Sequence, residues 1–177
     1  MARINKIKDY EVKSGDIFFF DNNIWMFIFA QIANSNIKKQ QIYSNFLRDI
    51  QSARASIYVS SLILSEYINC SMRLGFEQWK ESTQNFAADY EKDYRNTDDY
   101  KETLEVVKSE VKEIIKLCDK MPDNFNAINE DIVFKNMDQC DFNDAYYAEM
   151  CKIDNLKLVT DDADLKNIST AIDIITY

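Results

Sequence analysis

A chain of 177 residues with 46% hydrophobic and 13% aromatic content can bury one core, which excludes a disordered polymer and predicts one domain over residues 1–177. Thirty acidic residues against 21 basic ones leave a formal charge of −9, so bulk charge supplies no basic footprint for nucleic acid. The sequence contains no histidine, which excludes Ser-His-Asp and Cys-His nucleophiles, an imidazole base and a Cys/His zinc site.

Two glycines and one proline are too few for the turns of a β-sandwich or barrel, so the expectation is a helix-rich α/β protein. The cysteines Cys70, Cys118, Cys140 and Cys151 form no CxxC pair. They read as reduced thiols of a cytoplasmic protein. The N-terminal stretch MARINKIKDYEVKSGD has no apolar signal region, and the longest apolar run, Ile24 to Ala30, is far too short to span a bilayer. No membrane association is expected.

In chain order, residues 1–15 are charged and irregular, broken off by Gly15. Asp16 to Phe20 is an apolar run of strand length ending at Asp21, and Asn22-Asn23 opens the helical stretch IWMFIFAQIANS. Asp21 therefore stands at the carboxyl end of a strand, where it serves equally well as an ordinary helix cap. Lys38 to Ser52 predicts a helix with Ile42, Phe46, Leu47 and Ile50 facing inward. Ile57 to Val59 is a short strand, and Ser60-Ser61 caps a helix in which Glu66 lies among Leu62, Leu64, Tyr67, Ile68 and Met72. A carboxylate in that setting requires a partner, because a lone buried charge is costly.

Residues 76–121 read as a strongly charged helical region, with 89–99 a loop or helix junction. Within it Leu104, Val107, Val111 and Ile114 recur at helical spacing, and Lys108, Lys112 and Lys116 form a stripe among glutamates. An ion-paired, solvated face is the expectation for that stripe, with a phosphate contact as the sharper alternative. Pro122 ends the region, Phe125 to Ile128 is predicted as a third strand, and a short helix covers Ile132 to Met137. The stretch from Asp141 to Leu165 then predicts a helix opening on Asp141 and Asp144, a strand Leu156 to Val159, and a cluster of Asp161, Asp162 and Asp164. Ala171 to Thr176 is predicted as a last, edge strand. The order predicts a doubly wound parallel sheet of about five strands in a three-layer α/β/α arrangement.

In such sheets, ligands bind beyond the carboxyl ends of the strands. Asp21, Glu66, Asp144 and Asp162 form an acid quartet suited to that position, although caps and turns account for acids in the same places. The quartet carries a specific resemblance. The strand ending in FFFDNN, the strand-Ser-helix IYVSSLILSEYI with Glu66, and DAYYAEMCKIDNLKLVTDDADL with Asp144, Thr160, Asp162 and Asp164 resemble, in order, the four motifs of the PIN domain family. The resemblance covers residues 16–176. It departs from the family pattern at Leu165, where an aromatic is usual, and in a longer helical stretch between Glu66 and Asp144.

The resemblance implies a metal-dependent nuclease like the VapC-like toxins, hydrolysing RNA with Mg²⁺ or Mn²⁺ held by Asp21, Glu66, Asp144 and Asp162. Asp141 and Asp164 are the next candidates, and Asn23 and Thr160 would hold the carboxylates by hydrogen bonds. Asp141 and Asp144 lie one turn apart, and distance to the fourth motif favours Asp144. The resemblance also implies an antitoxin partner and a homodimer. Independently, converging carboxylates raise one another's pKa and suit a hard divalent cation. Two rival readings are a haloacid-dehalogenase-like phosphatase, which needs an acid where this chain has Asn23, and a PIN-like scaffold that binds a protein and cuts nothing.

Overall fold

The computed structural model describes residues 2–30 and 36–177. The C-terminal part of the predicted stretch IWMFIFAQIANS, residues 31–35, lies outside the described residues. Among the described residues, six strands form one all-parallel sheet in the order β1-β6-β5-β2-β3-β4. They are β1 (Arg3–Lys6), β2 (Ile17–Phe20), β3 (Ser56–Val59), β4 (Asp119–Lys120), β5 (Lys157–Val159) and β6 (Asp173–Thr176). The α-helices are α1 (Asn22–Phe29), α2 (Ile37–Ala53), α3 (Ser61–Thr83), α4 (Asp98–Leu117), α5 (Glu130–Asn136) and α6 (Phe142–Ile153).

β2 is the hinge of the topology. The chain runs outward from β2 to β3 and β4, then returns to place β5 on the other side of β2 and β6 beyond it. Its three phenylalanines, each wholly buried, explain the central position. Phe18 packs edge-on against Phe46 of α2 at 5.6 Å between ring centres, and Phe20 lies 4.9 Å from Trp25 of α1. Phe19, between them, points the other way and meets Tyr147 of α6 at 5.3 Å. An unbroken apolar strand is what a parallel sheet with helices on both faces demands.

Three expectations need correction. The N-terminal segment is not irregular throughout: Arg3–Lys6 pairs with β6, and Arg3 grips Asp173 through two short bonds of 2.6 and 2.5 Å. Its apolar content is too small to announce a strand, since an edge strand outside the sheet's core buries little. For the same reason β6 is not an edge strand; β1 covers it. The strand placed at Phe125 to Ile128 is instead a 3₁₀ turn, Phe125–Ala127, and the strand beside β3 is the two-residue β4, directly after α4. Phe125 is 68% exposed, so its apolar character marked no buried strand.

Between Glu66 and α6 the chain builds a hairpin of long helices. α3 and α4 pack closely at Gly75, where a Cβ would lie 2.6 Å from Thr103 Cγ2. A π-helical turn, Tyr90–Tyr94, joins the 89–99 segment onto α3, with Asp89 accepting from the amides of Glu91 and Lys92. On α4, Val107 and Ile114 are buried, whereas Lys108 and Lys116 are exposed and paired with Glu105 and Glu113. Those two lysines of the stripe are thus paired within their own helix. The four cysteines are free, and only Cys151 is fully buried. Among the described residues no helix is long and apolar enough to cross a membrane.

Candidate functional site

The strand order makes β2 and β5 neighbours whose onward connections diverge to opposite sides, so a crevice opens beyond their carboxyl ends. Asp21 is the first residue past β2. Its backbone amide bonds to Val159 of β5 (3.0 Å), and its side chain caps α1 by accepting from the amide of Asn22 (2.6 Å). The other carboxylate oxygen receives the Thr160 hydroxyl (2.6 Å) and the Asn23 side-chain amide (2.5 Å). Asn23 also donates to Thr160 (3.1 Å). Asn23 and Thr160 therefore both donate to the same oxygen of Asp21. Capping and site-building are the same geometry at Asp21, not alternatives.

The remaining acids arrive from three other elements. Glu66 comes from α3 and is half-buried. One of its oxygens receives two donors from α6, Asn143 (2.9 Å) and Tyr147 (2.7 Å). The partner that Glu66 requires is thus supplied by neutral groups. Asp162, half-buried beyond β5, turns its amide onto the Thr160 hydroxyl (3.0 Å) and accepts from the amide of Asp164 (2.7 Å). Asp144 sits in the first turn of α6, half-buried, with no hydrogen-bond donor to its carboxylate among the described residues.

Electrostatics ties these positions together. Burial pushes the Asp144 carboxyl up to about 8, and the charges of Asp21, Asp141, Asp162 and Glu66 push in the same direction. Burial likewise raises Asp21 to about 7, opposed by the Thr160 hydrogen bond and assisted by Glu66 and Asp162. All four acids of the quartet therefore share one field. Such a set is costly as bare anions and is suited to a hard divalent cation. Among the described residues, however, no three acid or thiol groups form a ready-made metal cage.

The other acids fall away from this centre to different degrees. Asp141 is exposed and caps α6, accepting from the amide of Asp144 at 3.0 Å. Asp164 is exposed at the start of a 3₁₀ turn. Asp161 is committed to α2: it accepts from Tyr43 (2.9 Å) and pairs with Lys39. Leu165, in place of an aromatic, is wholly buried in the core.

Asn143 and Tyr147 were not anticipated from sequence. They stand four apart on α6, on one helix face, and both reach the same Glu66 oxygen; that spacing is the available signal. Asn22 was missed as well. It is 7% exposed, donates to Cys70 Sγ (3.3 Å), and leaves its buried Oδ1 without a partner among the described residues. A shallow cavity of about 340 Å³ opens beside Glu66, lined by residues that include Cys70, Arg73 and Asn143.

The chain thus has a doubly wound parallel fold with four coupled carboxylates at its switch point. Residues 18–171 match the model of the PIN domain, so the chain belongs to the PIN domain family, whose members are generally nucleases that depend on divalent metal. Among solved structures it is similar to VapBC2 from Rickettsia felis bound to a DNA fragment from its promoter. That similarity has 14% identity and a TM-score of 0.54, covering 90% of this chain and 98% of the other. PAE2754 from Pyrobaculum aerophilum matches at 18% identity and a TM-score of 0.44, covering 90% and 84% of the two chains. No curated protein matches it by sequence.

Proposed function

We propose that this protein, working as one domain over its 177 residues, is a metal-dependent endoribonuclease that hydrolyses RNA phosphodiester bonds. One observation carries the reading: the Asp144 carboxyl is raised to about 8 in a field that includes Asp21, Glu66 and Asp162, from four separated parts of the chain. Packing alone gives no reason to gather four carboxylates where the charges of Glu66 and Asp162 oppose the ionisation of both Asp144 and Asp21.

A bound Mg²⁺ or Mn²⁺ would neutralise the cluster, activate a water and stabilise the leaving oxygen. Asp21, Glu66, Asp144 and Asp162 would hold it, with Asp141 and Asp164 further out. The absence of a ready-made cage among the described residues accords with a cation that keeps much of its water and meets these groups partly through it. Thr160 and Asn23 keep Asp21 oriented, and Asn143 and Tyr147 keep Glu66 turned toward α6. No histidine is required.

The Rickettsia felis neighbour is a VapBC complex, which supports reading this chain as a toxin restrained by an antitoxin; the homodimer is part of the same proposal. A cationic side chain from that antitoxin, placed among the acids, would take the cation's part. The same lack of a preassembled cage also favours a second reading, a PIN-like scaffold without catalysis. Cleavage of labelled RNA and DNA in Mg²⁺, Mn²⁺ or EDTA, by wild type and by Asp21→Asn, separates the two. Metal-dependent RNA cleavage lost in the variant is expected. Cleavage retained by Asp21→Asn would sink the site assignment, and cleavage by neither protein would favour the scaffold.

A further inference from the structure

The cavity beside Glu66 does not end there. Asn69 and Arg73 line it and also line a second, larger cavity of about 620 Å³ that continues along α3 toward the π-helical turn and α4. Glu66, Asn69, Arg73 and Phe76 follow one another at three- and four-residue steps, so they form one stripe about 15 Å long on α3. The groove thus begins at a carboxylate of the candidate site and ends in a wall of rings.

That wall is fixed in place. Tyr94 is wholly buried, hydrogen-bonded to Thr103 (2.9 Å), and packed 5.4 Å from Phe76 and 5.5 Å from Tyr100. Phe76, Tyr90 and Tyr100 surround it half-buried and line the groove, with Phe76 and Tyr90 edge-on at 5.3 Å. The charges are equally informative. Two carboxylates of the groove wall already have partners, Glu77 with Lys80 (2.6 Å) and Glu91 with Arg95 (2.5 Å). Arg73, exposed between the acid site and the rings, makes no ion pair among the described residues. A free guanidinium followed by half-buried aromatic faces is the combination that tracks a single strand: phosphate on the cation, bases on the rings.

We propose that this groove binds the unpaired nucleotides flanking the scissile phosphate, with Arg73 meeting a backbone phosphate and Tyr90, Tyr100 and Phe76 stacking against bases. The inference rests on the nuclease reading and gives its substrate a track on this chain, from Glu66 along α3 to the rings. Bases held in an A-form stack cannot offer their faces to side chains. It also gives the long α3–α4 hairpin a role that the acidic surface otherwise leaves unfilled, by confining favourable RNA contacts to one track on a chain of net charge −9.

The test uses the full chain with Arg73→Gln, Tyr90→Leu and Tyr100→Leu, each checked by thermal melting. Arg73→Gln alters an exposed side chain and leaves the packing untouched. Fluorescence anisotropy with a labelled single-stranded RNA in EDTA is expected to show binding by wild type, weakened about ten-fold or more by each variant. In metal, KM for that RNA should rise correspondingly, by a larger factor than kcat falls. Unchanged affinity and KM in all three variants, with wild type still cleaving, would overturn the groove and spare the nuclease; a protein occupying the groove gives this result. Wild type that binds no single-stranded RNA overturns the proposal directly. Wild type that binds but never cleaves overturns the nuclease reading instead.

Discussion

Replacing Asp21 by Asn should make the metal-free protein more stable at alkaline pH and destroy its proposed activity. Asp21 is 4% exposed, and its carboxyl is raised from 3.8 to about 7, chiefly by burial. A group that holds its proton more tightly when folded stabilises the fold at low pH. That stability is lost as pH climbs from the unfolded value through the folded one. At about 1.4 kcal/mol per pH unit, the interval amounts to about 4 kcal/mol, fully lost by about pH 8.

Asparagine abolishes this cost but introduces another. Its carbonyl can still cap α1. The amide nitrogen that replaces the other oxygen, however, cannot accept from Thr160 or Asn23, and losing those bonds costs about 1–2 kcal/mol. The two effects should balance near pH 5 and leave Asp21→Asn about 2–3 kcal/mol more stable at pH 8. Urea unfolding of both proteins in EDTA across that range measures the difference directly. A difference that does not grow with pH would refute the reasoning, because it would mean that Asp21 carries its charge at no cost in the fold. Added Mg²⁺ should then raise the wild-type midpoint at pH 8 far more than that of the variant.

Asp141 and Asp144 should separate by phenotype. Asp141→Ala removes the α6 cap and costs about 1 kcal/mol of stability while sparing cleavage, whereas Asp144→Asn keeps the stability and loses cleavage. Melting and cleavage assays on the same preparations read both, and equal loss of cleavage would bring Asp141 into the centre. Gly75→Ala should lower the melting temperature despite a helix-propensity gain of about 1 kcal/mol, because its Cβ would lie 2.6 Å from Thr103 Cγ2. Adding Thr103→Ser, which removes that methyl and keeps a hydroxyl for Tyr94, should recover much of the loss; no recovery would mean that the strain lies elsewhere.

Much of this protein was legible in its sequence where local chemistry and tertiary role coincide. FFFDNN announces both a strand buried on two faces and the acid at its end, because a run of apolar residues and the polar residues that stop it are neighbours in the chain. The same holds for Ser60 before α3 and for LKLVTDD at β5: caps and strand ends are local events, and the switch-point acids are among them. β1 and β4 were not legible, since two- and four-residue edge strands of mostly exposed residues exist only because a completed sheet offers them hydrogen bonds. Which acid faces inward was also beyond local reading. Asp161 and Asp162 are adjacent, yet one is drawn to Tyr43 and Lys39 of α2 and the other remains beside Thr160. Asn143 and Tyr147 became holders of Glu66 only when α6 was laid against α3. The sequence by itself determined the core strands β2, β3, β5 and β6, the caps and the inventory of carboxylates; the tertiary structure decided which of those carboxylates share one electric field, because that depends on distances across the sheet that no local pattern encodes.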